Sequence, residues 1–114
     1  MNLDGFDETL HTPHRLRICV LLSEVDQAEF GLIRDTLEVA DSVLSKQFKV
    51  LVDAGYVALD KPTGQGGRPR TWARLTRTGR TALRRHLRAL QQMVEISRQT
   101  SEAWATSEQA TRPA

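Results

Sequence analysis

Over residues 42–54, Ser42, Ser45, Lys46 and Lys49 fall on the side of a helix opposite Leu44, Phe48 and Leu51. Small hydroxyls let a helix approach a polar groove closely, and the ammonium groups beside them reach phosphates and base edges. Gln47 pairs bidentately with adenine if its rotation around the helix allows. A second set follows in the loop Lys61-Pro62-Thr63-Gly64-Gln65-Gly66-Gly67-Arg68-Pro69-Arg70. Its glycines keep the tip slim, while Arg68 and Arg70 alternate around Pro69. A guanidinium on a narrow tip suits a minor groove, where negative potential is focused. Arg74, Arg77 and Arg80 stand behind the loop within reach of phosphate, although acidic residues earlier in the chain compete for them. The chemistry is recognition of a polyanion.

Chemistry of other kinds is not indicated. No nucleophile is paired with a base, and no glycine motif cradles a phosphate, so the chain does not read as an enzyme. His11, His14 and His86 share no ligand spacing, so neither a metal nor any other cofactor is expected. The single cysteine, Cys19, excludes an internal disulfide. It sits in an apolar stripe and reads as a buried structural thiol rather than a redox sensor. Trp72 and Trp104 read as packing residues rather than a base-stacking platform.

The charge distribution supports the first reading. The 114 residues carry a net charge of only +2. Residues 1–41, however, hold three arginines against nine acids, and residues 42–88 hold eleven cations against two acids. A near-neutral total thus conceals a strongly basic middle, the footprint of a nucleic-acid partner or, on the plainer alternative, of a solvated charged face. With 39% apolar and 26% charged residues, no membrane-length apolar run and no leader pattern, the chain reads as one soluble cytoplasmic domain.

These residues need elements to hold them. Residues 1–11 lack periodicity and read as a flexible arm. Thr12-Pro13 starts a first helix, with threonine as the cap and proline in the first turn, and Leu16, Cys19 and Val20 give its stripe. Phe30, Ile33 and Leu37 predict a short second helix over 30–38. Asp41-Ser42 offers the cap of a third, which Ala54-Gly55 closes with glycine in the left-handed position. Tyr56–Asp60 and Thr71–Leu75 read as a hairpin around the long loop. Thr76 or Thr78 caps a final helix whose Leu83, Leu87, Leu90 and Val94 keep one seam. That helix is longer than a small core can cover, so the seam reads as a dimerisation surface. The expected fold is mainly α with a small β-hairpin, a winged helix-turn-helix with a long C-terminal helix. Its parts are a DNA-binding domain over 12–80, a dimerisation helix over 81–104 and a disordered tail over 105–114.

Several runs also resemble small MarR-like and ArsR-like winged-helix regulators. They are Thr12-Pro13-His14-Arg15-Leu16-Arg17-Ile18, Ser42-Val43-Leu44-Ser45-Lys46-Gln47-Phe48 and Leu51-Val52-Asp53-Ala54-Gly55-Tyr56-Val57. Gly67-Arg68-Pro69-Arg70 is similar to that family's wing, and Leu75-Thr76-Arg77-Thr78-Gly79-Arg80 to the start of its last helix. The resemblance covers about residues 12–90 and rests on the order and spacing of the runs together. It implies a transcriptional regulator and repressor, whereas the residue pattern itself implies only binding to double-stranded DNA, and the long apolar seam of the last helix a homodimer. Helix 42–54 would read the major groove, and wing 61–70 the minor groove or the backbone. Two further possibilities stay open. The same basic face serves a protein-interaction module for an acidic partner, or a small-molecule effector acts between the dimer helices and the DNA-binding core.

Overall fold

The computed structural model describes residues 3–61 and 70–111, with side chains up to residue 107. Its elements are α1 (Pro13–Ser23), β1 (Ala28–Glu29), α2 (Phe30–Leu37), α3 (Asp41–Asp53), β2 (Val57–Asp60), β3 (Trp72–Leu75) and α4 (Arg77–Thr111). Thr12 caps α1, its side chain accepting the Arg15 amide at 3.4 Å, with Pro13 in the first turn. The cap of α3 is Ala40 rather than Asp41 or Ser42, and offers no side-chain bond. Asp41 instead takes the first turn, where a carboxylate favours the positive end of the helix dipole.

The helices enclose a core built at the predicted spacings. Ile18, Cys19 and Leu22 of α1 meet Ile33 and Leu37 of α2 and Leu44, Phe48 and Leu51 of α3, all buried. Val57, Ala73, Leu75 and Leu83 close the core from the sheet and α4. α1 lies centrally, touching α2, α3, α4 and β3. The hairpin is antiparallel, Val57 facing Leu75 and Asp60 facing Trp72. A third strand, β1, was not expected. The order is β1-β3-β2, with Ala28 opposite Ala73 and Glu29 opposite Trp72. This two-residue strand ties the segment before α2 to the wing, and the Phe30 amide extends it by donating to the Thr71 carbonyl at 2.8 Å.

Two boundary expectations need correction, and one holds. Residues 3–11 are not a free arm: they turn on themselves, the Phe6 amide donating to the Leu3 carbonyl at 2.9 Å, and Leu10 is fully buried in the core. α4 starts at Arg77 with Thr76, one of the two caps expected, before it: the Thr76 Oγ1 accepts the Gly79 amide at 2.9 Å and donates to the Gly55 carbonyl at 2.6 Å. α4 then continues to Thr111, so residues 105–111 are helical rather than a disordered tail. That stretch lacks an apolar stripe, yet its alanines, glutamate and glutamine are adequate helix formers and Pro113 lies beyond it. Trp104 is 75% exposed, so it packs against none of the chain's core.

Gly79 shows why a glycine is needed inside the first turn of α4. A β-carbon there would collide with the Tyr56 carbonyl oxygen and lie 2.9 Å from its Cα. Gly31, by contrast, has only ordinary contact, the nearest atom being 3.5 Å away on the flexible end of Arg34. Gly79→Ala should therefore destabilise the fold by about 1–3 kcal/mol despite alanine's better helix propensity. Gly31→Ala should be neutral or slightly stabilising. Urea unfolding of both variants checks the contrast, and equal midpoints would refute it.

Candidate nucleic-acid interface

α3 is aimed by its own periodicity. With Leu44, Phe48 and Leu51 buried, Ser42, Ser45, Lys46 and Lys49 are all exposed on its outer side, as expected. Lys49 makes a 3.3 Å ion pair with Asp53 one turn on, between two well-exposed side chains. Such a pair contributes little and yields readily to a phosphate. Lys46 has no ion pair among the described residues.

Gln47 does not join this face. It is half-buried and turned towards α1, where its Oε1 accepts from Arg15 Nη1 at 2.8 Å. Arg15 also donates from Nε to the Thr9 carbonyl at 2.6 Å. The side chain expected to read adenine is thus engaged inside the domain, and Arg15 emerges as a residue that orients α3. The sequence carried one signal for it, its place in the first turn of a capped helix, but nothing there revealed its partner.

The turn into α3 is similarly tied. Arg34 donates to Asp35 at 2.9 Å and to Asp41 at 3.0 Å, linking α2 to the start of α3. Glu38 closes α2 in the left-handed conformation, φ 57° and ψ 50°, which lets the chain reverse between the two helices.

At the wing, Lys61 and Arg70 are exposed at the two ends of the described hairpin. Arg68 lies in the segment 62–69, outside the described residues. Arg70 approaches Glu29 at 3.8 Å, so β1 supplies a counter-charge at the wing's base. Between α3 and the hairpin lies an open cleft of about 490 Å³. Phe30, Phe48, Val52 and Leu59 provide its apolar lining, and Lys49 and Lys61 its cationic one. The two basic constellations therefore border one concavity. Of the arginines behind the wing, Arg74 and Arg77 are exposed, while Arg80 donates to the Ser23 carbonyl at 3.0 Å.

The proposed dimer seam divides. Leu83 is buried in the chain's own core and is unavailable to a partner. Leu87, Leu90 and Val94 line a shallow groove on α4 with Gln91, Val94 being 69% exposed. Cys19 is fully buried, and burial together with the nearby Asp7 charge pushes its thiol up to about 12, away from the reactive thiolate. His11 and His86, 75 residues apart in sequence, come within 3.4 Å of each other. No cluster of three or more metal-ligating side chains occurs among the described residues. Nor is any described helix long and apolar enough to cross a membrane.

Known proteins share this fold. A family model described as a winged helix DNA-binding domain matches residues 14–94. Among solved structures, the chain is similar to a transcriptional regulator homologue from Pyrococcus horikoshii OT3, at 28% identity and a TM-score of 0.73, covering 78% of this chain and 87% of that one. It is similar to the transcriptional repressor BigR from Xylella fastidiosa at 26% identity and a TM-score of 0.56, covering 68% and 70%. YusO from Bacillus subtilis, at 17% identity, shares the fold with a TM-score of 0.68 over 93% of this chain and 79% of that one. No curated relative matches the chain.

The turn before α3 offers a direct check on what presents this face. A non-glycine residue in the left-handed region costs about 1–2 kcal/mol, part of which glycine's greater unfolded-state freedom offsets. Glu38→Gly should thus stabilise the fold by about 0.5–1 kcal/mol in urea unfolding. A loss of stability would show that the Glu38 side chain, not its backbone, sets the turn.

Proposed function

The chain belongs to the winged helix DNA-binding domain family, and from that premise we propose that it is a sequence-specific, double-stranded-DNA-binding transcriptional regulator acting as a homodimeric repressor. The observation that carries this reading is the outer face of α3, where Ser42, Ser45, Lys46 and Lys49 stand exposed beside the wing. The serines permit close approach to a major groove, and the lysines neutralise phosphates and reach base edges. Lys61, Arg68 and Arg70 form the wing's contribution to backbone or minor groove. Gln47 acts indirectly, by keying α3 to Arg15.

Repression is supported by the likeness to BigR, a repressor 26% identical to this chain. Pairing is supported by α4, whose Leu87, Leu90 and Val94 offer an apolar strip beyond the core. A twofold axis there would set two α3 helices on half-sites about one DNA turn apart.

Genomic footprinting should reveal a two-fold site with that spacing. The double variant Lys46→Ala, Lys49→Ala should weaken binding and lower the slope of log K against log salt by about 1.8, roughly 0.9 for each phosphate no longer neutralised. Unchanged affinity and slope would remove α3 as the DNA-reading element. Leu87→Glu with Val94→Glu should shift the protein from dimer to monomer in sedimentation velocity, while a monomeric wild type would overturn the pairing.

A further inference from the structure

We infer that residues 3–12 are a positioning strap for α3, held shut by a neutral His86 and released when His86 gains a proton. The strap's effect on DNA rests on the reading above; its closure does not.

The protonation pattern follows from geometry. The Asp7 backbone amide donates to His86 Nδ1 at 2.9 Å. That nitrogen must therefore carry a lone pair, which in a neutral imidazole puts the proton on Nε2. Nε2 faces His11 Nδ1 at 3.4 Å, so His86 donates and His11 accepts. The same assignment leaves Nε2 without a lone pair for a metal ion. A proton added to His86 Nδ1 would set an N–H against the Asp7 N–H. That turns a donor–acceptor pair into two opposed donors.

The surroundings give little shelter to a cation. His86 is fully buried, with the Phe6 ring 5.0 Å away and the His11 ring 5.3 Å away. The Asp7 carboxylate favours the charged form, but it is engaged by the Tyr56 hydroxyl at 2.5 Å. Cys19 on α1 presents its protonated thiol to the same cluster, and Arg85 on α4 lies with its backbone against Gly5. Burial, followed by the neighbouring His11, outweighs Asp7 and holds His86 below its usual 6.5.

The strap reaches α3 by two routes. Its Thr9 carbonyl accepts from Arg15, which donates in turn to Gln47 of α3. Its Asp7 carboxylate holds Tyr56, whose own amide donates to the Leu51 carbonyl in the last turn of α3 at 2.9 Å. Opening the strap removes the acceptor that orients Arg15, bonded to Gln47 in the middle of α3, and the carboxylate that holds the Tyr56 side chain beside the last turn of α3.

The sign is set by the two states. His86 titrates near 6.5 when the strap is open and lower when it is shut. Closure is therefore at full strength above about 6.5 and is lost as pH falls below it, by up to about tenfold in the opening equilibrium per pH unit.

The test uses the full chain between pH 7.5 and 5.5 at constant salt. Amide hydrogen exchange at Asp7 and Leu10, corrected for its intrinsic pH dependence, should accelerate by up to about tenfold per unit below 6.5 without DNA present. Affinity for a footprinted fragment should fall over the same range, opposite to the gain that added positive charge gives a DNA-binding protein. His86→Asn keeps an acceptor near Nδ1 but cannot titrate, and should flatten both responses. Arg15→Ala, which leaves the histidines intact, should keep the exchange response and lose that of affinity. Flat wild-type exchange would overturn the lock, and pH-dependent exchange with unchanged affinity would overturn the positioning role. Absence of DNA binding at every pH would refute the functional reading, while exchange still decides the lock.

Discussion

The peptide between Gly55 and Tyr56 is where the fold is tied. Gly55 takes φ 80°, a conformation costly to any residue with a β-carbon, and so turns the chain out of α3. The Tyr56 amide then closes on the Leu51 carbonyl, while its own carbonyl accepts the Thr76 amide at 2.9 Å. The Gly55 carbonyl accepts the Thr76 hydroxyl, and Gly79 presses its bare Cα side onto Tyr56. The end of α3, the beginning of β2, the end of β3 and the beginning of α4 thus share a few backbone atoms. The Tyr56 side chain adds the N-terminal strap through Asp7. α3 and the wing cannot tilt independently, because both are pinned at this crossing.

That crossing explains what could be read from the residues and what could not. Thr12-Pro13, Gly55 and Thr76 are local devices, so caps and stops placed α1, α3 and α4 to within a few residues. The stripes of α2 and α3 were equally plain, since Ile33, Leu37, Leu44, Phe48 and Leu51 repeat at helical spacing and are all buried. Outward exposure of Ser42, Ser45, Lys46 and Lys49 followed from the same arithmetic. Three features have no local signal. β1 is two residues long and exists only because β3 lies alongside it. The strap is held by a hydrogen bond spanning 79 residues. Gln47 lies at the edge of the polar face, and only the position of Arg15 decides which way it turns.

The uneven charge has a structural side as well. Acids of the first third pair with cations beside both basic constellations, Asp41 with Arg34 of the same third at the start of α3 and Glu29 with Arg70 at the wing. These partners are partly or well exposed, so each pair adds about 0–1 kcal/mol at most. Their value lies in position: they orient a guanidinium without burying it. Lys46 and the serines carry no such tether among the described residues. The outer face of α3 is thus held by apolar side chains beneath it rather than by charges around it, which among the described residues leaves Ser42, Ser45 and Lys46 free of competing bonds and Lys49 paired only with Asp53.

α4 poses the remaining physical question. Among its described side chains Ala89 is the last that is fully buried, yet the helix runs on to Thr111. Along that distal half the visible support is local, as in the Arg98–Glu95 pair at 2.9 Å, and such pairs give about 0.2–0.5 kcal/mol each. An isolated helix of about 20 residues is marginal in water, and most helical stability comes from burying an apolar face. Met93, Val94 and Trp104 leave apolar area exposed there. Dimerisation would supply what the distal half lacks, which is why the same proposed pairing accounts for both its length and its composition. A helix that served only to close the domain could have stopped one turn after His86.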